Sequence, residues 1–156
     1  MALLEENNRG RVFCTNPDAK LPQRAHRTDA GMDFFFCPHE GAAKRVMPGE
    51  STLLGTGIKM EVPPGCMLQI MNKSGVASKK SLVTGACVVD EGYTGEIFVN
   101  LHNIGSAPQY IEPGQKIAQG VFVRIEKPIL WEIPHDSIYG TRTARGDGAL
   151  GSTGDT

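Results

Sequence analysis

The sequence lacks a long apolar segment, a paired cysteine motif and an excess of charge of either sign. No stretch of the 156 residues approaches the length needed to cross a bilayer, so we expect no membrane partner. The net charge of −1 gives no electrostatic reason to expect a nucleic-acid polymer or an anionic membrane surface. A small anion such as a nucleotide needs only a local cluster of donors, so near-neutrality does not exclude one.

Metal-ligating residue types are present but not grouped. The four cysteines and four histidines are Cys14, Cys37, Cys66, Cys87, His26, His39, His102 and His135. No C-x-x-C pair occurs, which argues against a structural zinc site. The first eight residues lack the apolar stretch of a signal peptide. We therefore expect reduced thiols and a cytoplasmic location, in the host cell if the chain is viral.

Helical periodicity is also scarce, and 19 glycines and 10 prolines divide the chain into short pieces. Several pieces alternate apolar and polar residues as half-buried strands do. The predicted strands are residues 32–37, 51–55, 57–62, 67–72, 85–89, 96–103 and 116–124. Only residues 75–80 predict a short helix. This pattern indicates one all-β domain of the sandwich, barrel or jelly-roll type.

The C-terminal part differs in composition from the rest. Residues 145–154 (RGDGALGSTG) contain four glycines, two hydroxyl side chains and one arginine, and almost nothing to bury. Glycines let backbone N–H groups approach an anion, and the hydroxyls and guanidinium add donors for phosphate oxygens. A flexible glycine-rich tail is the alternative interpretation. We interpret residues 1–134 as the core and residues 135–156 as an arm.

A second candidate segment is residues 88–96 (VVDEGYTGE). Val88 and Val89 resemble the end of a buried strand, and Gly92 supplies the positive φ of a tight turn. Asp90 is therefore expected where a rigid strand meets the turn, with the ring of Tyr93 beside it. The alternative is an aspartate that caps the turn and a tyrosine that packs against it.

Three further segments carry polar groups next to glycine. Residues 71–77 (MNKSGVA) place a cation and a hydroxyl where a strand ends and a helix can begin, which suits an anion. Residues 114–119 (GQKIAQ) place Gln119 after a buried-looking run, and residues 29–36 (DAGMDFFF) flank a glycine with two carboxylates. A capping serine, a backbone-paired glutamine and surface carboxylates would explain each segment separately.

Taken in order, these segments resemble the five motifs of the trimeric dUTP diphosphatase (dUTPase) family. The first to fifth motifs correspond to residues 30–33 (AGMD), 73–77 (KSGVA), 88–96, 114–119 and 145–154. The resemblance implies a β jelly-roll subunit and a homotrimer, with active sites between subunits and the C-terminal arm closing over them. It further implies hydrolysis of dUTP to dUMP and pyrophosphate, with Mg²⁺ held mainly by the triphosphate.

The same resemblance implies a role for each candidate residue. Asp90 would be the general base for water attack on the α-phosphorus, and Asp33 would contact the metal indirectly, through water. The base and sugar would contact Gly85, Ala86, Val89, Tyr93 and Leu150. The phosphates would contact Lys73, Ser74, Gly75, Gln119, Arg145, Gly151, Ser152 and Thr153. Within this scheme Tyr93 excludes a 2′-hydroxyl.

The chain departs from the family pattern at several positions. Lys73 stands where the family usually has arginine, which keeps the charge but loses the bidentate fork. Ala149 and Leu150 replace a Gly-Phe pair, so apolar contact would replace ring stacking over the uracil. Cys87 occupies a position that is often glycine. We expect a looser closed state rather than a lost activity.

Two alternatives remain open at this point. dCTP deaminase has the same fold, but its catalytic glutamate would fall at Asn100, and an amide cannot transfer protons as a carboxylate does. A regulatory or protein-binding relative of dUTPase, in which catalysis is dispensable, is the second alternative. Retention of Asp90, Tyr93, Ser74, Gln119 and Arg145 argues against a decayed site.

Overall fold

The computed structural model describes residues 10–134, and within this range the chain is almost entirely β-structure. These residues form eleven strands and one short helix, which confirms the all-β prediction. The strands are β1 (Val12–Cys14), β2 (Met32–Phe35), β3 (Lys44–Val46), β4 (Ser51–Gly55), β5 (Ile58–Met60), β6 (Cys66–Met71), β7 (Leu82–Thr84), β8 (Val88–Val89), β9 (Phe98–Asn103), β10 (Gln109–Ile111) and β11 (Lys116–Arg124). The helix α1 spans Ser74–Lys80.

The strands pair antiparallel in four sheets. The largest sheet has the order β2-β11-β6-β8, and a second has the order β4-β9-β7. Two-stranded pairs, β1 with β5 and β3 with β10, complete the set found within residues 10–134. Strand β11 lies between β2 and β6, and Gln119 is the partner of both Asp33 and Met71. This register brings the first, second and fourth motifs, residues 30–33, 73–77 and 114–119, to one region of the sheet.

The sequence prediction of the strands was correct in type and uneven in extent. Strand β11 has the predicted bounds, Lys116–Arg124. The single strand predicted over residues 85–89 is wrong, because β7 ends at Thr84 and β8 begins at Val88. Residues 85–87 instead form a connection whose backbone bonds to groups of other strands. The short strands β1, β3, β7 and β10 were not predicted.

The interior is one apolar cluster to which all four sheets contribute. Its largest fully buried side chains are Phe34, Leu54, Ile58, Leu68, Ile70, Leu82, Ile97, Leu101, Ile111, Ile117, Val46 and Val99. Along β9, buried Val99, Leu101 and Asn103 alternate with the more exposed Phe98, Asn100 and His102. Strand β9 therefore points Val99, Leu101 and Asn103 inward and presents Asn100 and His102 on the opposite face.

The chain divides into two units, Met1–Glu126 and Lys127–Thr156. Every strand, the helix and every cavity discussed below belong to the first unit. Residues 127–134 of the second unit contain no regular secondary structure. Among the residues described, no helix has the length and apolar character needed to cross a bilayer.

Thr56 provides a buried polar anchor between β4 and β5. Its hydroxyl Oγ1 donates a 2.6 Å hydrogen bond to the backbone oxygen of Ile97, and the residue has no exposed surface. Replacing the hydroxyl with a methyl leaves the shape nearly unchanged but removes the donor, and an unpaired buried acceptor is costly.

We expect Thr56→Val to lower the free energy of unfolding by about 1–3 kcal/mol, measured by urea denaturation. Thr56→Ser keeps the hydroxyl and loses only one methyl group, so its loss should be smaller. Equal stability of the valine variant and the wild type would contradict this assignment.

Candidate active site

The turn after β8 presents Asp90 at a cavity. Asp90 follows Val89 directly and is exposed, and the turn is closed by a 3.2 Å bond from the Tyr93 amide to the Asp90 carbonyl. Gly92 adopts φ of +86°, as the sequence predicted for this turn. A cavity of about 280 Å³ is lined by Val88, Val89, Asp90, Tyr93, Glu96, Ile97 and Phe98. The carboxylate is thus held on a short rigid element and remains accessible.

Tyr93 forms one wall of this cavity in a fixed orientation. Its hydroxyl donates a 2.9 Å hydrogen bond to the backbone oxygen of Glu96. The ring lies against Gly95, where an added Cβ would overlap the phenol group. Glycine at position 95 is therefore required for the ring to lie where it does.

Glu96 fixes the chain between this turn and β9, a role that the sequence alone did not predict. Its carboxylate accepts hydrogen bonds from the backbone amides of Thr56 at 3.1 Å and Gly57 at 2.9 Å. His39 lies 3.3 Å away, and the Glu96 side chain is only 9% exposed. Because these amides and the carboxylate become neighbours only on folding, no local sequence pattern marks the contact.

Asp33 is buried on β2 between two ammonium groups. Lys73 Nζ lies 2.7 Å from Oδ1 and Lys116 Nζ lies 2.8 Å from Oδ2. Burial by itself would raise the pKa of Asp33, but hydrogen bonding and charge from Lys116 and Lys73 outweigh it and hold the pKa below its ordinary value. Asp33 is therefore ionised at neutral pH and orients both lysines.

The two oxygens of Asp33 are not equivalent. Oδ1 accepts a hydrogen bond from Lys73, whereas the buried Oδ2 has the ion pair with Lys116 but no hydrogen bond of good geometry within the described residues. Oδ2 thus retains capacity for a further donor, such as water bound to a metal. No group of three or more His, Cys, Asp or Glu side chains that could hold a metal occurs within residues 10–134.

Gln119 on β11 connects three candidate segments. Its Nε2 donates a 3.0 Å hydrogen bond to the backbone oxygen of Asn72, which precedes Lys73. An added Cβ on Gly31 would overlap Oε1 of Gln119, so the first motif requires glycine to accommodate this side chain. Lys73 is the N-cap of α1 and makes no side-chain capping bond, and Ser74 and Gly75 are exposed in the first turn.

The structure brings the expected residues together in two groups. Asp33, Lys73 and Gln119 form one group, and Asp90, Val89 and Tyr93 form the other. The 280 Å³ cavity contains only the second group, and a larger cavity of about 590 Å³ on the Arg11–Phe13 side of Tyr93 contains neither Asp90 nor Lys73. We take the smaller cavity as the candidate active site because Asp90 lines it. The expected contacts at Arg145, Leu150, Gly151, Ser152 and Thr153 lie outside the described residues.

Cys37 is the only buried cysteine among those described, and its thiol is held neutral. Burial raises its pKa, and the carboxylates of Asp18 and Glu96 and the thiol of Cys14 raise it further. A neutral thiol is a poor nucleophile. Cys37 is therefore a poor candidate for a nucleophile.

Comparison with known proteins adds independent evidence to this geometry. A sequence model of the dUTPase family matches residues 17–154. The deoxyuridine 5′-triphosphate nucleotidohydrolase of Clostridium acetobutylicum is 39% identical over 138 residues, which are 87% of this chain and 90% of that protein. The enzyme of the same name from Chlamydia trachomatis is 36% identical over 148 residues, 93% of this chain and 99% of that protein.

Solved structures show the same fold. Staphylococcus bacteriophage 80alpha dUTPase with dUpNHpp has a TM-score of 0.84 and 26% identity, covering 94% of this chain and 99% of that one. A mutant dUTPase from phage phi11 of S. aureus, described with a structural Mg(II) ion, has a TM-score of 0.74 and 26% identity, covering 83% of this chain and 99% of that one. The fold is thus that of an all-β nucleotide hydrolase. The chain belongs to the dUTPase family.

The ion pairs of Asp33 predict a pH-dependent stability. Because the folded-state pKa is lowered, Asp33 stabilises the fold fully above its unfolded pKa of about 3.8, and the contribution is lost as pH falls through the folded value. We expect Asp33→Asn to lower the free energy of unfolding at pH 7 by about 1–3 kcal/mol. The difference from wild type should shrink below about pH 4, measured by urea denaturation across pH. A difference that is constant from about pH 7 to about pH 3 would contradict the assignment.

Proposed function

We propose that this chain hydrolyses dUTP to dUMP and pyrophosphate by water attack on the α-phosphorus. The proposal rests mainly on the exposed Asp90 carboxylate. It lies on the turn after β8, at a cavity that is also lined by Tyr93. Its relatives bear the name of this activity. Asp90 is the general base that accepts the proton of the attacking water, a contribution worth about 10²–10⁴-fold in rate.

Charge on the phosphates is offset by donors arranged in advance. Lys73 already has its ammonium group fixed by Asp33, so its orientation needs little change when an anion arrives. Ser74, Gly75 and Gln119 lie in the segments next to Lys73 in the fold. Arg145, Gly151, Ser152 and Thr153 of the C-terminal arm complete the phosphate contacts.

We include Mg²⁺ as a cofactor that enters on the triphosphate. Bound there, it supplies charge neutralisation at the phosphate oxygens. Asp33 would hold the water shell of the metal, since its Oδ2 accepts no hydrogen bond of good geometry among the described residues.

The division of the candidate residues into two groups supports a site shared between subunits. A triphosphate held by Lys73 and Gln119 and hydrolysed at Asp90 must contact both groups, yet the Asp90 cavity contains only one. A homotrimer would unite the groups from two subunits, with the arm of residues 135–156 from the third closing the site and Leu150 covering the base.

Deamination of dCTP is the weaker alternative. The side chain at the critical strand position, Asn100, serves as a hydrogen-bond acceptor for the Ala86 amide and lies within hydrogen-bond distance of His102. A residue engaged in this way and lacking a carboxyl group cannot transfer protons to a base. A purely regulatory role would not require the lysine orientation at Asp33.

The first test changes the proposed base. Asp90→Asn should reduce the rate of pyrophosphate release from dUTP by about 10²–10⁴-fold, because the amide cannot accept the proton. Nucleotide affinity, measured by calorimetry, should change little. Glu91→Gln, which removes the neighbouring carboxylate of the same turn, should retain turnover. Near-normal turnover of Asp90→Asn would refute the role of the base.

The second test concerns the sugar. Tyr93→Ala removes the wall of the cavity and should raise kcat/KM for UTP relative to dUTP by about tenfold or more, the scale on which a single small group is discriminated. Tyr93→Phe keeps the ring against Gly95 and should retain the preference for the deoxyribonucleotide. Continued refusal of UTP by the alanine variant would remove Tyr93 from this role.

A further inference from the structure

The connection between β7 and β8, residues 85–87, pairs with no strand along its length. Each of its residues, and Thr84 at the end of β7, nevertheless makes a hydrogen bond through its backbone. The backbone amide of Gly85 donates to the backbone oxygen of Asn100 at 2.9 Å, and the oxygen of Cys87 accepts from the amide of Ile70 at 2.7 Å. The amides of Thr84 and Ala86 are bonded by side chains instead. Residues 84–87, here called the base loop, are thus fixed along their whole length.

Asn72 holds the first residue of the base loop. Its Oδ1 accepts from the Thr84 amide at 2.7 Å and from the Thr84 hydroxyl at 3.1 Å. The backbone oxygen of the same residue accepts from Gln119 at 3.0 Å. Asn72 therefore links the base loop to the segment that carries Lys73 and Ser74.

Asn100 holds the middle of the base loop from the opposite side. Its Oδ1 accepts a long hydrogen bond of 3.4 Å from the Ala86 amide and lies 2.9 Å from His102 Nε2. Its Nδ2 donates to the backbone oxygen of Thr52 at 3.3 Å, which fixes the rotation of the amide. An added Cβ on Gly85 would overlap both Asn100 Oδ1 and His102 Nε2. Glycine at position 85 lets the loop backbone approach these side chains closely.

We propose that Asn72 and Asn100 are positioning residues that fix the backbone of the base loop so that it reads the edge of a pyrimidine. This inference rests on the proposed function and on the base contacts of Gly85 and Ala86 that the family resemblance implies. A loop that recognises a base through backbone groups has no side chain to adjust, so its specificity depends on how firmly the backbone is held. The two asparagines supply this from outside the loop.

The test separates the base from the phosphates. Asn72→Ala and Asn100→Ala each remove a side-chain oxygen that accepts a hydrogen bond from the base loop. Both variants keep the backbone oxygens of residues 72 and 100, which accept from Gln119 and Gly85 respectively. Each should weaken binding of dUMP roughly fivefold to tenfold, as expected for one lost hydrogen bond. Binding of pyrophosphate, which has no base, should change by less than the roughly fivefold loss expected for dUMP. Both affinities are measured by calorimetry on the full chain.

Amide hydrogen exchange reports the same network without any ligand. Exchange should accelerate at Thr84 in Asn72→Ala and at Ala86 in Asn100→Ala. Asn100→Asp keeps an acceptor oxygen but loses the hydrogen bond that Nδ2 donates to Thr52, so it should restore protection of the Ala86 amide and dUMP affinity only in part. The control is Ser51→Ala, an exposed change on β4 opposite His102, which should alter neither measurement.

The outcomes distinguish this proposal from the function on which it rests. Unchanged exchange and unchanged dUMP affinity in both alanine variants would overturn it. An equal loss of dUMP and pyrophosphate affinity would also overturn it, because the asparagines would then support the whole site rather than the base loop. A wild-type chain that releases no pyrophosphate from dUTP would instead refute the proposed function, while the exchange data would still test the network.

Discussion

The burial of one carboxylate between two ammonium groups is the interaction on which the site depends. Asp33 belongs to β2, Lys73 follows β6, and Lys116 begins β11, the strand that lies between the other two. A buried carboxylate without partners would be unstable, and two mobile lysines would lose conformational entropy when they bind an anion. The ion pairs address both costs. The ammonium groups offset the cost of burying the Asp33 carboxylate, and the carboxylate holds the ammonium groups in position before substrate arrives.

The turn that carries Asp90 is held by hydrogen bonds to the backbone. It is attached through Glu96, whose carboxylate bonds two backbone amides of the turn between β4 and β5, and through the hydroxyl of Tyr93. The proposed catalytic carboxylate itself remains exposed. The stabilising contacts are thus made by Glu96 and Tyr93. The Asp90 carboxylate, the proposed proton acceptor, stays accessible to water.

The parts of this site that could be predicted from sequence are those determined by local chemistry. The Glu91-Gly92 pair predicts a tight turn from local sequence alone, and Gly92 does adopt the positive φ of that turn, so the position of Asp90 and Tyr93 beside it could be predicted. Alternation was sufficient for β11. Asn72, Glu96 and Asn100 were not assigned roles, because their partners are distant in sequence: Asn100 meets Ala86 across 14 residues, and Glu96 meets Gly57 across 39. The same contacts explain why residues 85–89 do not form one strand, since Gly85 and Ala86 bond to Asn100 where a continuous ladder was expected.

The separation of the two groups within one chain has a mechanistic consequence. Lysines oriented by Asp33 would bind phosphates even without a base present, whereas the base loop and Tyr93 would select the nucleoside. If both groups acted from one preformed pocket, pyrophosphate and other polyphosphates would compete effectively for the whole site. Assembling the groups from two subunits, and closing the site only when the arm engages both, would make tight phosphate binding depend on recognition of the base. The rigid base loop, rather than the phosphate donors, would then determine which nucleotide is hydrolysed.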